Sequence, residues 1–256
     1  MKLSVISSSS AGNCYLLEGK TSALILECGV TLEKMLRNYG GPLGKIAGCV
    51  ISHEHGDHAA YAAQYAKLGI KIISAQETLE AIKLAENRRA RAIRHGSTIT
   101  EGEWRISAFN VWHDAVKPLG YIIEHPECGR VLFVTDSRAL SYNFRALGLD
   151  HLMIESNYSF KILGEKVGSG AMDPGQAARV ERAHLALESA CSWVRANGTD
   201  NLKTVLLLHL SDRNSDSAEF QQTMQEIAPM ATVAVARPGL KVELDKTIPG
   251  NIQFTK

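Results

Sequence analysis

Three histidines and one aspartate lie within six consecutive positions, in the order His53-x-His55-x-Asp57-His58. Imidazole nitrogens are common ligands of Zn²⁺ and similar transition-metal ions, and a carboxylate is a harder ligand for the same ions. Residues two apart in an extended chain point to the same side, so His53 and His55 would face one ion together. Gly56 permits a sharp turn, after which Asp57 and His58 would face a second ion. A polar loop with incidental histidines is the alternative.

The chain on either side of this cluster predicts a strand that ends at the histidines and a helix that follows them. Residues 48–51 form a short apolar run that is typical of a buried strand. Residues 59–66 are mostly alanine and predict a helix. We therefore expect the cluster at the carboxyl end of a strand.

Four further apolar segments each lead to a residue that could bind a metal ion. A carboxylate or histidine at the end of a buried strand needs a partner or a cation. Because strand ends in α/β proteins gather along one edge, these residues would meet the first cluster there. A core or surface histidine is the alternative for His113. The segments are residues 23–27, 103–111, 129–136 and 204–209, and the residues at or just beyond their ends are Glu27, His113, Asp136 and His209.

The histidine motif and the four other strand ends together resemble the metallo-β-lactamase superfamily of hydrolases. Within it, the chain resembles the WalJ/YycJ-like exonucleases and the ribonuclease Z-like phosphodiesterases. The resemblance extends over nearly the whole chain and implies an α/β fold, a four-layer αββα sandwich, formed by one domain over residues 1–256. The stretches that carry the finer resemblance are Ser8–Cys14, His113–Ala115, Glu155–Asn157 and His209–Ser211.

The resemblance also implies a set of metal ligands and two divalent ions, Zn or Mn, with Fe as a further choice. Such a pair of ions lowers the pKa of a water molecule, so that a hydroxide can attack phosphorus or a carbonyl carbon near neutral pH. Asp57 is assigned a catalytic role as well as a ligand role. The implied ligands are His53, His55 and His113 for one ion and Asp57, His58 and His209 for the other, with Asp136 between them.

Glu27 stands where an aspartate is common in the superfamily. The implied role of that aspartate is to orient the histidine loop, and groups behind metal ligands do orient them. Glu27 keeps the charge but is one methylene longer. A carboxylate paired locally at a strand end is the alternative.

His184 interrupts a helical pattern that begins at Pro174, after Asp173 as N-cap, and continues to Asn197. In the exonuclease branch, a histidine just before a helix lies near the scissile phosphate, which makes His184 a candidate catalytic residue. Ala183 and Ala186 replace the glycine and serine that usually flank it. A histidine on a helix surface is the alternative.

Substrate contacts are expected from the polar residues that follow two of the predicted strands. Two of these residues lie beside the N-terminus of a predicted helix over residues 216–228, where an anion is favoured. Five basic residues in a predicted helix over residues 76–94 form either a solvated face or a phosphate-steering surface. The expected substrate contacts are Asn157, Ser211, Arg213 and Asn214.

Composition favours the cytoplasm without selecting a substrate. The five cysteines are scattered and contain no Cys-x-x-Cys motif, which favours reduced thiols. The N-terminal residues are too few and too polar for a signal peptide, and no apolar run is long enough to span a membrane. The net charge of +1 neither demands nor excludes nucleic acid. The oligomeric state stays open.

Three functions are compatible with these features. The leading hypothesis is a phosphodiesterase or nuclease that acts on nucleic acid or a small phosphodiester with a hydroxide activated by two metal ions. The first alternative is a hydrolase of a small thioester, lactone or cyclic phosphate, which would need a closed pocket. The second is a non-catalytic metal-binding scaffold, although degenerate scaffolds tend to lose ligands.

Overall fold

The strands Ala23–Leu26 and Thr204–Leu208 are buried at every position, so both faces of each must be covered. In the computed structural model, which describes residues 1–246, each of these strands lies in its own seven-stranded sheet. The two sheets pack face to face and helices cover their outer faces. The predicted four-layer αββα sandwich is therefore confirmed. The single domain over residues 1–256 stays a prediction, since residues 247–256 lie outside the described part.

The first sheet has three strands that run antiparallel to their neighbours at one end and four parallel strands at the other. Four helices belong to this half: α1 (Leu32–Asn38), α2 (Gly56–Ala59), α3 (Ala62–Lys67) and α4 (Gln76–Ala81). In spatial order the strands are β14 (Lys241–Glu243), β1 (Lys2–Ser7), β2 (Cys14–Glu18), β3 (Ala23–Leu26), β4 (Ile46–Val50), β5 (Ile72–Ser74) and β6 (Ala90–Ala92).

The second sheet is also mixed, with three parallel strand pairings at one end and three antiparallel pairings at the other. Its helices are α5 (Phe160–Gly168), α6 (Pro174–Ala183), α7 (Leu187–Asn197) and α8 (Ser217–Ile227). In spatial order the strands are β13 (Thr232–Val235), β12 (Thr204–Leu208), β11 (His151–Glu155), β10 (Gly129–Val134), β9 (Leu119–His125), β8 (Trp104–Asn110) and β7 (Thr98–Glu101).

The central core lies between the sheets and joins them. Tyr15 of β2 and Phe133 of β10 meet edge to face, with ring centroids 5.9 Å apart. Both residues belong to one buried cluster that draws side chains from the two sheets. Burial of apolar area on this scale is the main term that holds the layers together.

The loop after β3 and the start of α2 approach each other at their backbones. Gly29 lies so close to Asp57 that a Cβ atom built on it would come within 1.7 Å of the Asp57 carbonyl oxygen. Asn13 completes the contact, because its backbone N–H donates to that same oxygen at 2.7 Å. Three loops at one edge of the first sheet are therefore fixed by backbone contact.

The predicted helix over residues 76–94 is wrong beyond its first turns. Helix α4 ends at Ala81, Lys83 has a left-handed backbone (φ 59°), and the chain then enters β6. Arg91, in β6, pairs with Glu101, an interaction that a continuous helix would not provide. The edge of the parallel sheet thus overrides the helical pattern.

Other predicted elements differ in extent. The helix expected over residues 59–66 is two short helices, α2 and α3, and it begins earlier, at Gly56. The last two strands, β13 and β14, lie in different sheets. Helix α5 and strand β7 were not predicted. Within residues 1–246, no helix has the length and apolar character that crossing a membrane requires.

Candidate metal centre

The first group of ligand-type side chains consists of three imidazoles that face one another. His53 and His55 follow β4, and His113 follows β8. The ring centroids of these three residues lie 4.7 to 5.0 Å apart. One nitrogen from each ring lies within 4.8 Å of the others, which is close enough to hold a single ion.

The second group brings together Asp57, His58, Asp136 and His209. Asp57 and His58 lie on α2, Asp136 follows β10, and His209 follows β12. An Asp57 carboxylate oxygen is 3.2 Å from His58 Nε2 and 3.5 Å from His209 Nε2. One segment that follows β4 of the first sheet and two strand ends of the second sheet therefore build this group.

Asp136 lies between the two groups. Its Oδ2 atom is 3.8 Å from His53 Nε2, 3.7 Å from His113 Nε2 and 3.4 Å from His58 Nε2. Its Oδ1 atom is 3.0 Å from His209 Nδ1. The two oxygens of one carboxylate thus face nitrogens of both groups, as the resemblance implied for a residue between two ions.

Three residues at the strand ends of this centre adopt left-handed backbone conformations: Glu27 (φ 63°), Asp136 (φ 40°) and His209 (φ 53°). Among residues 1–246, Lys83 is the one further non-glycine residue with positive φ. Such conformations typically cost about 1–3 kcal/mol each and persist where the surroundings enforce them. The strain is therefore concentrated where strands end at the centre.

Three histidines of the centre each have one ring nitrogen held from behind. His113 Nδ1 donates to the Ala183 carbonyl at 2.8 Å, which leaves Nε2 as the lone-pair atom that faces the cluster. His53 Nδ1 contacts Ser52 Oγ at 2.9 Å. His58 Nδ1 lies 3.5 Å from a Glu27 carboxylate oxygen. Contacts of this kind fix the ring orientation of metal-binding histidines.

Glu27 therefore contacts the histidine loop at two points. Its other carboxylate oxygen accepts a hydrogen bond from the backbone N–H of Ser52 at 3.1 Å. The side chain is fully buried, and this burial raises its pKa. These contacts are those expected of a group that orients the loop from behind.

The chemistry of the donor set fits divalent cations. Four carboxylates border the centre, and within residues 1–246 no Lys or Arg forms an ion pair with any of them. Two buried ring nitrogens that face the centre, His53 Nε2 and His209 Nε2, have no hydrogen-bond partner in the described chain. Buried anions and orphaned acceptors of this kind require compensation. The four carboxylates are Glu27, Asp57, Asp136 and Glu155.

The electrostatics of the group show that its carboxylates favour positive charge beside them. Burial opposes charge on His58 and His209, but the Asp136 carboxylate outweighs it and raises the pKa of both rings well above the ordinary value. Burial likewise opposes charge on Asp136, yet these two histidines hold its pKa well below the ordinary value. For His53, burial dominates and lowers the pKa, which favours the neutral imidazole that binds metal.

Glu155 belongs to this centre, although no role was assigned to it from the sequence. It ends β11 and is fully buried, and its Oε1 atom lies 2.7 Å from His184 Nδ1 and 3.3 Å from His209 Nδ1. Its other oxygen accepts from the backbone N–H groups of Ser137 and Leu185. A carboxylate after the apolar run of residues 152–154 was the available signal, the same one that singled out Asp136.

His184 lies beside the metal ligands, at the end of α6. Its ring centroid is 5.4 Å from that of His209 and 6.0 Å from that of His113. The side chain is 22% exposed, so part of the ring reaches solvent. Burial opposes its charge, but Glu155 raises the pKa of His184 above the ordinary value.

The four residues expected to contact substrate differ in their burial and in the hydrogen bonds that they make. Asn157 is buried and donates to the His209 carbonyl at 2.7 Å. Ser211 Oγ accepts from the backbone N–H groups of Arg213 and Asn214. Asn214 is buried as well, and Arg213 is exposed. Their roles toward substrate stay predictions.

Similarity to known proteins extends over nearly the whole chain at low identity. A family model described as anti-Pycsar protein Apyc1 matches residues 4–66. The exodeoxyribonuclease WalJ of Streptococcus pneumoniae is 26% identical over 246 residues, which cover 91% of this chain and 90% of the relative.

Solved structures show the same architecture. The metallo-β-lactamase fold protein YhfI from Bacillus subtilis is similar with a TM-score of 0.73 and 19% identity, over 94% of this chain and 99% of that one. The short form of human tRNase Z gives a TM-score of 0.64 at 14% identity, over 95% and 99% of the two chains. The chain has the metallo-β-lactamase fold, and the resemblance inferred from its sequence is confirmed. The fold and the clustered ligands together support a metal-dependent hydrolase.

We expect two divalent ions per chain after reconstitution with Zn²⁺ or Mn²⁺, measured by elemental analysis. Asp136→Ala should reduce this to one ion or fewer, because this carboxylate faces nitrogens of both groups. Asp200→Ala, which removes an exposed carboxylate after α7, is the matched control and should retain both ions. Less than one equivalent in the unaltered protein would contradict the two-ion centre.

Glu27→Gln should weaken metal binding by about 10- to 100-fold, the usual effect of removing a group that orients a ligand. The substitution keeps the side-chain size but removes the negative charge that faces His58. Competition with a chelator of known affinity measures the change, with His55→Ala as the comparison. A loss as complete as that of His55→Ala would identify Glu27 as a direct ligand.

Proposed function

We propose that this chain is a phosphodiesterase that cleaves nucleic acid with the help of two divalent metal ions. The observation that carries the proposal is the position of Asp136, whose two oxygens face both groups of ligand-type side chains. The proposed ligands are the seven residues expected from the sequence. When bound, a pair of divalent ions would activate water as a nucleophile and stabilise charge on a phosphate.

Beside these ligands, Glu155 and His184 supply proton-transfer chemistry from the chain itself. Glu155 accepts a hydrogen bond from His184 Nδ1, so the ring is fixed and Nε2 is the atom that remains for a substrate oxygen. The carboxylate also favours the protonated ring, as the raised pKa of His184 indicates. We assign His184 to protonate the leaving oxygen, and Glu155 to orient it.

Asp57 contributes to catalysis through its place in the ligand set. Hydrogen bonds from His209 and His58 overcome the effect of burial and lower the pKa of Asp57. It therefore stays a carboxylate over the whole physiological range. Its side chain is 21% exposed, so it reaches the side of the centre that a substrate would approach.

Nucleic acid is the favoured substrate because of the relatives and the surroundings of the centre. The curated relative with 26% identity is named an exodeoxyribonuclease. Two exposed arginines, Arg138 and Arg182, line a cavity that His113 also lines. Cations at such a place attract phosphates. A small thioester, lactone or cyclic phosphate remains the alternative substrate, and a scaffold without catalysis the alternative class.

We also infer a cytoplasmic location, supported by the cysteines. All five are buried and form no disulfide, as expected of a protein kept in a reducing compartment.

The proposal is tested by comparing hydrolysis of single-stranded DNA, double-stranded DNA, RNA and a thioester, with Mn²⁺ or Zn²⁺ added. We expect metal-dependent cleavage of nucleic acid that is lost in His55→Ala. Hydrolysis of the thioester alone would favour the small-molecule alternative. No turnover of any substrate by protein that holds two ions would favour the scaffold.

His184→Ala should lower kcat by about 10²- to 10⁴-fold, the usual contribution of general acid–base catalysis. Its metal content should stay unchanged, because the proposed ligand set does not include His184. Steady-state kinetics and elemental analysis measure the two effects on the same preparation. An unchanged kcat in this variant would contradict the catalytic role and leave His184 with a structural role.

A further inference from the structure

Trp112 is a large apolar side chain that the fold leaves at the surface, next to the metal centre. The residue is 55% exposed, whereas Trp104 and Trp193 are buried. It directly precedes His113, a member of the first ligand group, whose ring faces that of His53. Isolated exposed apolar side chains need no explanation, but one beside a catalytic centre is a candidate substrate contact.

The backbone of Trp112 is fixed on both sides. Its N–H donates to Ser137 Oγ at 3.1 Å, and its carbonyl accepts from the Arg138 N–H at 2.8 Å. Further along the same loop, the Val116 N–H donates to the Glu54 carboxylate at 2.7 Å. The indole is therefore carried by a segment tied both to the residues after Asp136 and to the histidine motif, rather than by a free loop.

Two arginines, Arg138 and Arg182, line the same cavity as the Trp112 indole. The guanidinium carbon of Arg138 lies 5.5 Å from the centroid of the Trp112 ring, within the range of a cation–π contact. Arg182 and His113 line the same cavity of about 270 Å³, and among residues 1–246 Asp114 is the one carboxylate in its lining. This volume is smaller than that of a pocket for a drug-sized ligand, and it suits a single ring system.

We propose that Trp112 is a stacking platform for one nucleobase of the substrate, and that Arg138 and Arg182 bind the phosphate beside that base. Every nucleobase has a π-face, so stacking on an aromatic side chain combined with arginine contacts to phosphate is how proteins bind single-stranded nucleic acid without regard to sequence. Because Trp112 and His113 line the same cavity, a base stacked on the indole would lie close to the first ligand group. This inference rests on the proposed function and adds the part of the substrate that is recognised.

The test uses two ligands that contain no phosphodiester bond and differ only by the base, dAMP and 2-deoxyribose 5-phosphate. Isothermal titration calorimetry on the metal-loaded protein gives Kd for each. The unaltered protein should bind dAMP about 5- to 150-fold more tightly, the range expected for stacking one base. Trp112→Ala should remove this preference, and Trp112→Phe should retain most of it.

Two further variants separate the base from the phosphate. Arg138→Ala should weaken the binding of both ligands. It should reduce the preference for dAMP less than Trp112→Ala does. Met230→Ala, which removes an 88% exposed side chain after α8, is the control for a change of surface apolarity and should match the unaltered protein. Thermal unfolding monitored by circular dichroism verifies that each variant is folded.

Because nothing is hydrolysed in this titration, the subsite and the proposed activity can fail separately. Equal Kd values for the two ligands in the unaltered protein, or a preference that persists in Trp112→Ala, would overturn the stacking platform even if nucleic acid is cleaved. A preference that depends on Trp112 would support the platform even if the cleavage assays were negative.

Discussion

Four carboxylates that border one centre, with no lysine or arginine paired to them in residues 1–246, are the constraint on which the rest of this structure depends. Glu27, Asp136 and Glu155 are buried almost completely, and burial of an anion without compensation is too costly to be tolerated. Histidines are their only described ion-pair partners. Two divalent ions would balance four negative charges, and they would let the imidazoles act as neutral ligands rather than as acids.

The fold supplies this arrangement by ending strands of two sheets at one edge. The first sheet contributes the histidine loop after β4 and Glu27 after β3, and the second contributes His113, Asp136, Glu155 and His209. Each of the two proposed ligand groups draws residues from both sheets. The close packing of the sheets, through contacts such as Tyr15 with Phe133, therefore sets the distances within the centre.

Local pattern predicted the candidate ligands because each follows an apolar strand, and a polar residue there is conspicuous. The same rule applies to Glu155, which follows the apolar run of residues 152–154, although no ligand or catalytic role was assigned to it from the sequence. The helix expected over residues 76–94 failed for a different reason. Its charged residues fit a helix and an edge strand equally well, and only the pairing of β6 with β5 decides between them. Such long-range pairing is absent from local sequence.

The pairing of β1 with β14 affects the order in which parts of the fold can form during synthesis. During synthesis the chain emerges from its N-terminus, so Lys2–Ser7 exists long before Lys241–Glu243, the strand that covers its outer edge. The whole motif from His53 to His58 is likewise available long before His209. A nascent chain would present three imidazoles and a carboxylate with an incomplete set of companions, and would hold a metal ion weakly. Loading of the proposed metal ions would therefore require the second sheet as well as the first.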